Sequence, residues 1–126
     1  MKMKTLVSTA LLLGFSIQSS LFAASPKEEA INKGYEHYKI FCINCHGKNA
    51  DGKGPLVASM KIAPADLTLL KQSDPNTCIA ERVLKAVSGV HDTIPGQKAN
   101  MPTFSGNLES ITIYELVQFL KAIQKH

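Results

Sequence analysis

A chain of 126 residues, 44% hydrophobic and 19% charged, holds enough material for one core and too little for two. Its formal charge of +4 comes without a basic tract or aromatic ladder, which excludes a nucleic-acid binder. Three cysteines cannot all pair within the chain.

The first 24 residues read as a leader. Lys2 and Lys4 form a positive n-region, "TLVSTALLLGFSIQSSLF" an apolar h-region, and Ala23, Ala24 and Ser25 a small-residue cleavage site. The apolar run is short for a spanning helix, so residues 1–24 are expected to be a signal peptide cut near Ala24, and residues 25–126 the mature domain. Loss of two lysines would lower the formal charge from +4 to +2. The expected compartment is the periplasm, where a Cys42–Cys45 disulfide is chemically allowed and Cys78 is left over.

The mature chain opens on a capping box, Ser25-Pro26-Lys27-Glu28, with proline at the first helical position. Ile31, Gly34, Tyr35, Tyr38, Phe41 and Cys42 then share one helical face, which delivers Cys42 on the buried side. Residues 47–64 carry three glycines and two prolines without periodicity and read as a loop. A short helix is expected from Asp66, whose carboxylate can cap it. "SDPN" at 73–76 reads as a turn, and a helix follows to Gly89 with Ile79, Ala80, Val83, Leu84 and Val87 inward. After a second loop, a last helix runs from about Ser110 to Gln124 with Ile113, Leu116, Val117, Leu120 and Ile123 on one face. Loops this long inside a small domain are expected to line something, and a large apolar cofactor would complete a thin core.

The motif "CINCH", Cys42 to His46, opens three chemistries. Zinc needs three or four ligands, and no second pair completes the set. A thioredoxin-like dithiol sits at a helix N-terminus after a strand, whereas these cysteines follow a helix. Covalent haem fits: two thiols at this spacing span the two vinyl groups of one porphyrin edge, and the histidine that follows faces the iron. A sixth ligand is then needed. Met101 is the candidate, His91 the challenger, and Met60 reads as packing on the proximal side. His37 and His126 read as solvated surface histidines.

Four segments resemble the class I mono-haem cytochromes c across essentially the whole mature chain. They are "GYEHYKIFCINCHG", "GKGP" at 52–55, "MPTF" at 101–104 and "ELVQFLKAI" at 115–123. The resemblance implies an all-α cytochrome c fold of three to five helices, joined by long loops around one covalently attached haem c. It implies thioether bonds from Cys42 and Cys45 and axial ligation by His46 and Met101. It further implies that the Pro55 carbonyl holds the Nδ1 proton of His46, that Phe104 lies in the haem pocket, and that Phe119 packs across Gly34. Cys78 and the approach "HDTIPGQKA" depart from the family pattern.

A saturated iron in a pocket of Leu67, Leu70, Phe104 and Pro55 suits electron transfer better than catalysis. The expected function is a soluble electron carrier of a respiratory chain, serving an oxidase, reductase or dehydrogenase and docking at membrane complexes. The alternatives are a haem subunit of a larger complex and a five-coordinate haem sensor or enzyme. Lys48, Lys53, Lys61, Lys71 and Lys98 are expected near the haem edge, where they would steer acidic partners or merely solubilise. Cys78 is expected to be a free, partly exposed thiol, or the link of a disulfide dimer.

Overall fold

Ser25 starts the first helix. Its Oγ accepts the Glu28 N–H at 3.2 Å, Pro26 takes the first helical position, and α1 runs Pro26–Phe41. The computed structural model describes residues 24–90, 101–104 and 106–126; the expected leader (all but Ala24), His91 and Lys98 lie outside these. Four shorter or later helices follow: α2 (Ile43–His46), α3 (Leu70–Ser73), α4 (Ile79–Val87) and α5 (Ser110–Ala122). Two 3₁₀ turns, Val57–Ser59 and Leu67–Leu69, punctuate the loop between α2 and α3. The described residues contain no strand, and the fold is all-α.

The core forms where α1 crosses α5. Gly34 makes the crossing: a Cβ there would collide with the Glu115 carbonyl and lie 2.8 Å from the Phe119 Cβ, so only glycine lets the two backbones meet. Phe119 fills the space beside it, its ring 5.3 Å from that of Tyr35 and 5.2 Å from that of Tyr38. This contact turns the buried face of α1 onto Ala30, Gly34 and Tyr38. Tyr35 and Phe41, expected inside, are partly exposed: Tyr35 lies against Phe119 on the flank of the crossing, and Phe41 against Phe104 at the edge of a cavity. Tyr38 is wholly buried, and its hydroxyl donates to the Gly47 carbonyl at 2.5 Å, which fixes the turn after α2 to the end of α1. Burial pushes its phenol well above the ordinary range.

Asp66 caps the next segment as its position predicts. Its Oδ1 accepts the Thr68 N–H at 2.8 Å and the Thr68 hydroxyl at 2.5 Å, and the 3₁₀ turn Leu67–Leu69 runs on into α3. In α4 the buried stripe is Val83 and Val87, and it packs on α5. Leu84, expected inward, is 52% exposed, because it lies about 100° around the helix from Val83 on the flank away from α5. Gly89 ends this stretch at φ 81°, a left-handed turn that glycine takes without strain. Beyond α5, the chain returns to α3. Gln124 Nε2 donates to the Leu67 carbonyl at 2.8 Å, its Oε1 accepts the Lys71 N–H at 3.0 Å, and the Lys125 N–H donates to the Thr68 carbonyl at 2.9 Å.

Candidate functional site

Between α2, α3, α4 and α5 lies a cavity of about 650 Å³ with a mostly apolar lining. Such a volume is in the range of pockets that enclose a whole cofactor. Cys42, Cys45 and His46 line one side of it, as one turn of helix. Met60, Leu67, Leu70, Val83, Val87, Met101, Phe104, Leu116 and Leu120 supply apolar wall.

The motif is held in place by backbone. Tyr38 anchors Gly47 on one side, while the His46 carbonyl accepts the Gly52 N–H at 2.9 Å and the Cys45 carbonyl accepts the Gly54 N–H at 3.0 Å on the other. The loop thereby folds under α2. Gly52 has φ 78°, and a Cβ there would lie 2.5 Å from the Pro64 carbonyl oxygen, so the close approach of residues 64–65 depends on it. That approach brings the Ala65 carbonyl 3.0 Å from His46 Nδ1. Since a carbonyl only accepts, Nδ1 carries the proton and Nε2 keeps its lone pair, with no hydrogen-bond partner among the described residues. Burial lowers the His46 pKa, more than the bond to Ala65 raises it, and so favours the neutral ring that ligates metals.

This corrects the expectation for Pro55. That residue is exposed and does not line the cavity, and the carbonyl at Nδ1 belongs to Ala65. The physical cause is the fold of the loop under α2, which carries residues 54–55 past the histidine and brings 64–65 to it.

Burial, with the neighbouring Cys45 as the lesser cause, pushes the Cys42 thiol up to about 12. It is therefore a protonated thiol in an apolar wall at neutral pH. Met101 and Phe104 are set by the end of α4: the Phe104 N–H donates to the Val87 carbonyl at 2.8 Å, and Thr103 packs where a Cβ on Gly89 would stand. Phe104 also meets Phe41 edge-on at 6.0 Å, closing one rim.

Two features escaped the sequence reading. His37 is half-buried, its Nε2 2.8 Å from Oε2 of the buried Glu115, so it is a clasp between α1 and α5 rather than a solvated histidine. Arg82 and Lys85 line the cavity, whereas Lys48, Lys53, Lys61 and Lys71 are exposed outside its lining. Cys78, as expected, is an exposed free thiol, and it stands at the N-cap of α4. The pairing of His37 had a faint signal in Glu115, four residues before Phe119 on the face expected to meet Gly34; the place of Arg82 had none, because a cation one position from Val83 reads as helix surface.

The donor set suits the cofactor suggested by the motif. Two thiols on one turn, an imidazole with a free Nε2, a thioether in the same cavity and an apolar lining fit a flat, apolar, iron-bearing macrocycle. Compared with known families, residues 29–120 match the model of the family described as cytochrome C oxidase, cbb3-type, subunit III. No curated protein matches the chain.

Proposed function

We propose that this chain, which belongs to the cbb3-type cytochrome c family and carries covalent haem c, works as a periplasmic one-electron carrier with histidine–methionine axial ligation. When bound, haem c supplies reversible one-electron iron chemistry. The observation that supports this reading is the meeting of Cys42, Cys45, His46 and Met101 on one apolar cavity. Cys42 and Cys45 hold the cofactor through thioether bonds. His46 ligates the iron through Nε2, oriented and made more basic by the Ala65 carbonyl at its other nitrogen. Met101 supplies neutral sulfur. Leu67, Leu70 and Phe104 keep water away and, with the thioether, disfavour the ferric charge, which raises the potential. Filling both axial positions leaves no place for a substrate, which favours transfer over catalysis.

Export supports the periplasmic assignment through the residues 1–24 pattern, and no helix among the described residues is long and apolar enough to cross a membrane. A second reading, a haem subunit held within a respiratory complex, is favoured by the family's description and by exposed apolar residues such as Ile40 and Ile111. Copurification from membranes with an oxidase, reductase or dehydrogenase separates it from a free carrier. A disulfide dimer through Cys78 would appear on non-reducing gels and vanish in Cys78→Ser.

One set of spectra tests the site. The pyridine haemochrome of the wild type should be that of haem with two thioethers, and Cys42→Ala and Cys45→Ala should each lose one or all covalent attachment. The oxidised wild type should show the weak far-red sulfur-to-iron band. Met101→Ala should abolish that band and open the iron to carbon monoxide, while His91→Ala leaves it in place. A wild type without that band, opened to carbon monoxide by His91→Ala and not by Met101→Ala, makes His91 the ligand; a reduced wild type that already binds carbon monoxide revives the five-coordinate enzyme or sensor.

A further inference from the structure

His46 is held from two sides, and one residue joins the two. The Gly47 carbonyl, next in the chain to His46, accepts the Ala50 N–H at 3.1 Å. The Ala50 carbonyl in turn accepts the Leu67 N–H at 2.8 Å, and Ala65, just before that turn, accepts the proton of His46 Nδ1 at 3.0 Å. A closed circuit thus leaves His46 through its backbone and returns to its ring. Within it, Ala50 alone uses both its N–H and its carbonyl on the circuit.

Ala50 is also out of the ordinary in its backbone. Its φ is 56°, and every other positive φ among the described residues belongs to a glycine: Gly47, Gly52, Gly89 and Gly106. A Cβ in the left-handed region crowds the neighbouring carbonyl, so a turn as such is better served by glycine. Here the side chain is kept, and it is buried: Ala50 is 2% exposed and belongs to the core cluster with Tyr38 and Leu120. Strain of this kind persists only where the surroundings over-determine it, and it marks places where geometry matters. Alanine has a single narrow left-handed well, whereas glycine roams widely at positive φ.

We infer that Ala50 is a positioning residue for the axial histidine: its left-handed backbone, narrowed by the buried methyl, holds residues 65–67 against His46 and so keeps the Ala65 carbonyl on Nδ1. The inference rests on the haem reading above. A carbonyl at Nδ1 makes the imidazole a stronger donor at Nε2, which favours ferric over ferrous iron. Ala50 does not line the cavity, so it acts on the iron only through these bonds. The midpoint potential is then set in part by a methyl group behind the site.

The test uses the full holoprotein, its covalent loading established by haemochrome spectra, and the variant Ala50→Gly. Glycine keeps both hydrogen-bonding groups and accepts the same φ, so only the restriction is lost. Relief of strain offsets the missing methyl, and the melting temperature should stay close to wild type. The midpoint potential should rise, seen as a several-fold larger ferrous-to-ferric ratio at the wild-type midpoint. The hyperfine-shifted Nδ1–H of His46 in the oxidised protein should move and exchange faster with solvent. A purely structural Ala50 would leave the potential and the Nδ1–H resonance where they are, whatever the melting temperature does; that result, or a lowered potential, overturns the inference. A second pair isolates the bond itself. Leu67 opens its turn and Asp66 before it is extended, at φ −71° and ψ 107°, so Leu67→Pro fits there and removes the N–H that reaches Ala50. Leu67→Ile keeps that N–H and reports what a changed wall does alone. The proline variant should lie above the isoleucine variant in potential, and equal potentials overturn the inference. Should Ala50→Gly fail to load haem, hydrogen exchange of the wild-type holoprotein decides. Ala50 N–H, Leu67 N–H and His46 Nδ1–H that open together, at less than the free energy of global unfolding, support the circuit, and any other pattern overturns it. Wild type without covalent haem would overturn the preceding reading instead.

Discussion

Where α1 crosses α5, protein meets protein: Gly34 lies against the Glu115 backbone, Phe119 touches Tyr35 and Tyr38, and His37 clasps Glu115. Where α3 and α4 face α2, residues of the same apolar kind, Leu70, Val83 and Val87, border a cavity. The crossing finishes its packing with its own side chains. The wall, though buried by its own neighbours, also leaves room for a group that the chain does not encode. Stability and redox tuning are thereby housed in different halves of one small molecule, and substitutions should separate them.

The largest effect belongs to the crossing. Gly34→Ala forces a Cβ into the Glu115 carbonyl and should destabilise the holoprotein by at least about 4 kcal/mol in denaturant unfolding, or prevent folding. Any protein recovered should keep the wild-type visible spectrum. A cost under about 1 kcal/mol would break the contrast, since the two backbones would not then be in contact. Next is Leu70→Ala on the wall, at about 2 to 4 kcal/mol. It should also shift the midpoint potential downward, because water admitted beside the cofactor favours the ferric charge. If the potential does not move while stability falls, the wall is ordinary core. Glu115→Gln leaves His37 without its carboxylate and should cost about 1 to 2 kcal/mol with no spectral change. Smallest is Asp66→Ala, about 1 kcal/mol at neutral pH for a lost cap. Hydrogen bonding from Thr68 holds the Asp66 carboxyl below its ordinary value. The stabilisation from the ionised carboxylate is thus present above about pH 4 and fades as pH falls through the lowered folded value. Acid titration of the melting temperature of both proteins should show the gap narrowing; a gap that widens toward acid contradicts the cap.

Much of the crossing was legible because its signals are local. Ser25 is read from its spacing to the group it caps, as Asp66 is on the wall side, and Gly34 with Phe119 from the family pattern. Which flank of α1 faces in was harder. Periodicity alone cannot choose between Ala30 and Tyr35 when glycine makes the contact, since glycine contributes no hydrophobicity to the count. The wall was legible in its motif and poorly in its supports. Ala65 reaches His46 through a loop whose path is set by Gly52 and Gly54, and a glycine states that something approaches without stating what. Arg82 and Leu84 show the same limit on α4, where the cavity extends the inward face toward Ala86 and Val90 and leaves Leu84 outside.

The bonds from Gln124 and Lys125 to Leu67, Thr68 and Lys71 carry a consequence for the order of assembly. A chain emerging from its amino end presents the Cys42–His46 turn long before α5 exists. Contacts between such distant segments form late, because a large loop must close before they are rewarded. Until then α1 has no helix to cross, α3 is held by Arg82 alone, and the cavity has no α5 wall. Docking of α5 and the Gln124 staple then shuts the cavity, so the last segment of the chain is the one that closes the site opened by the first.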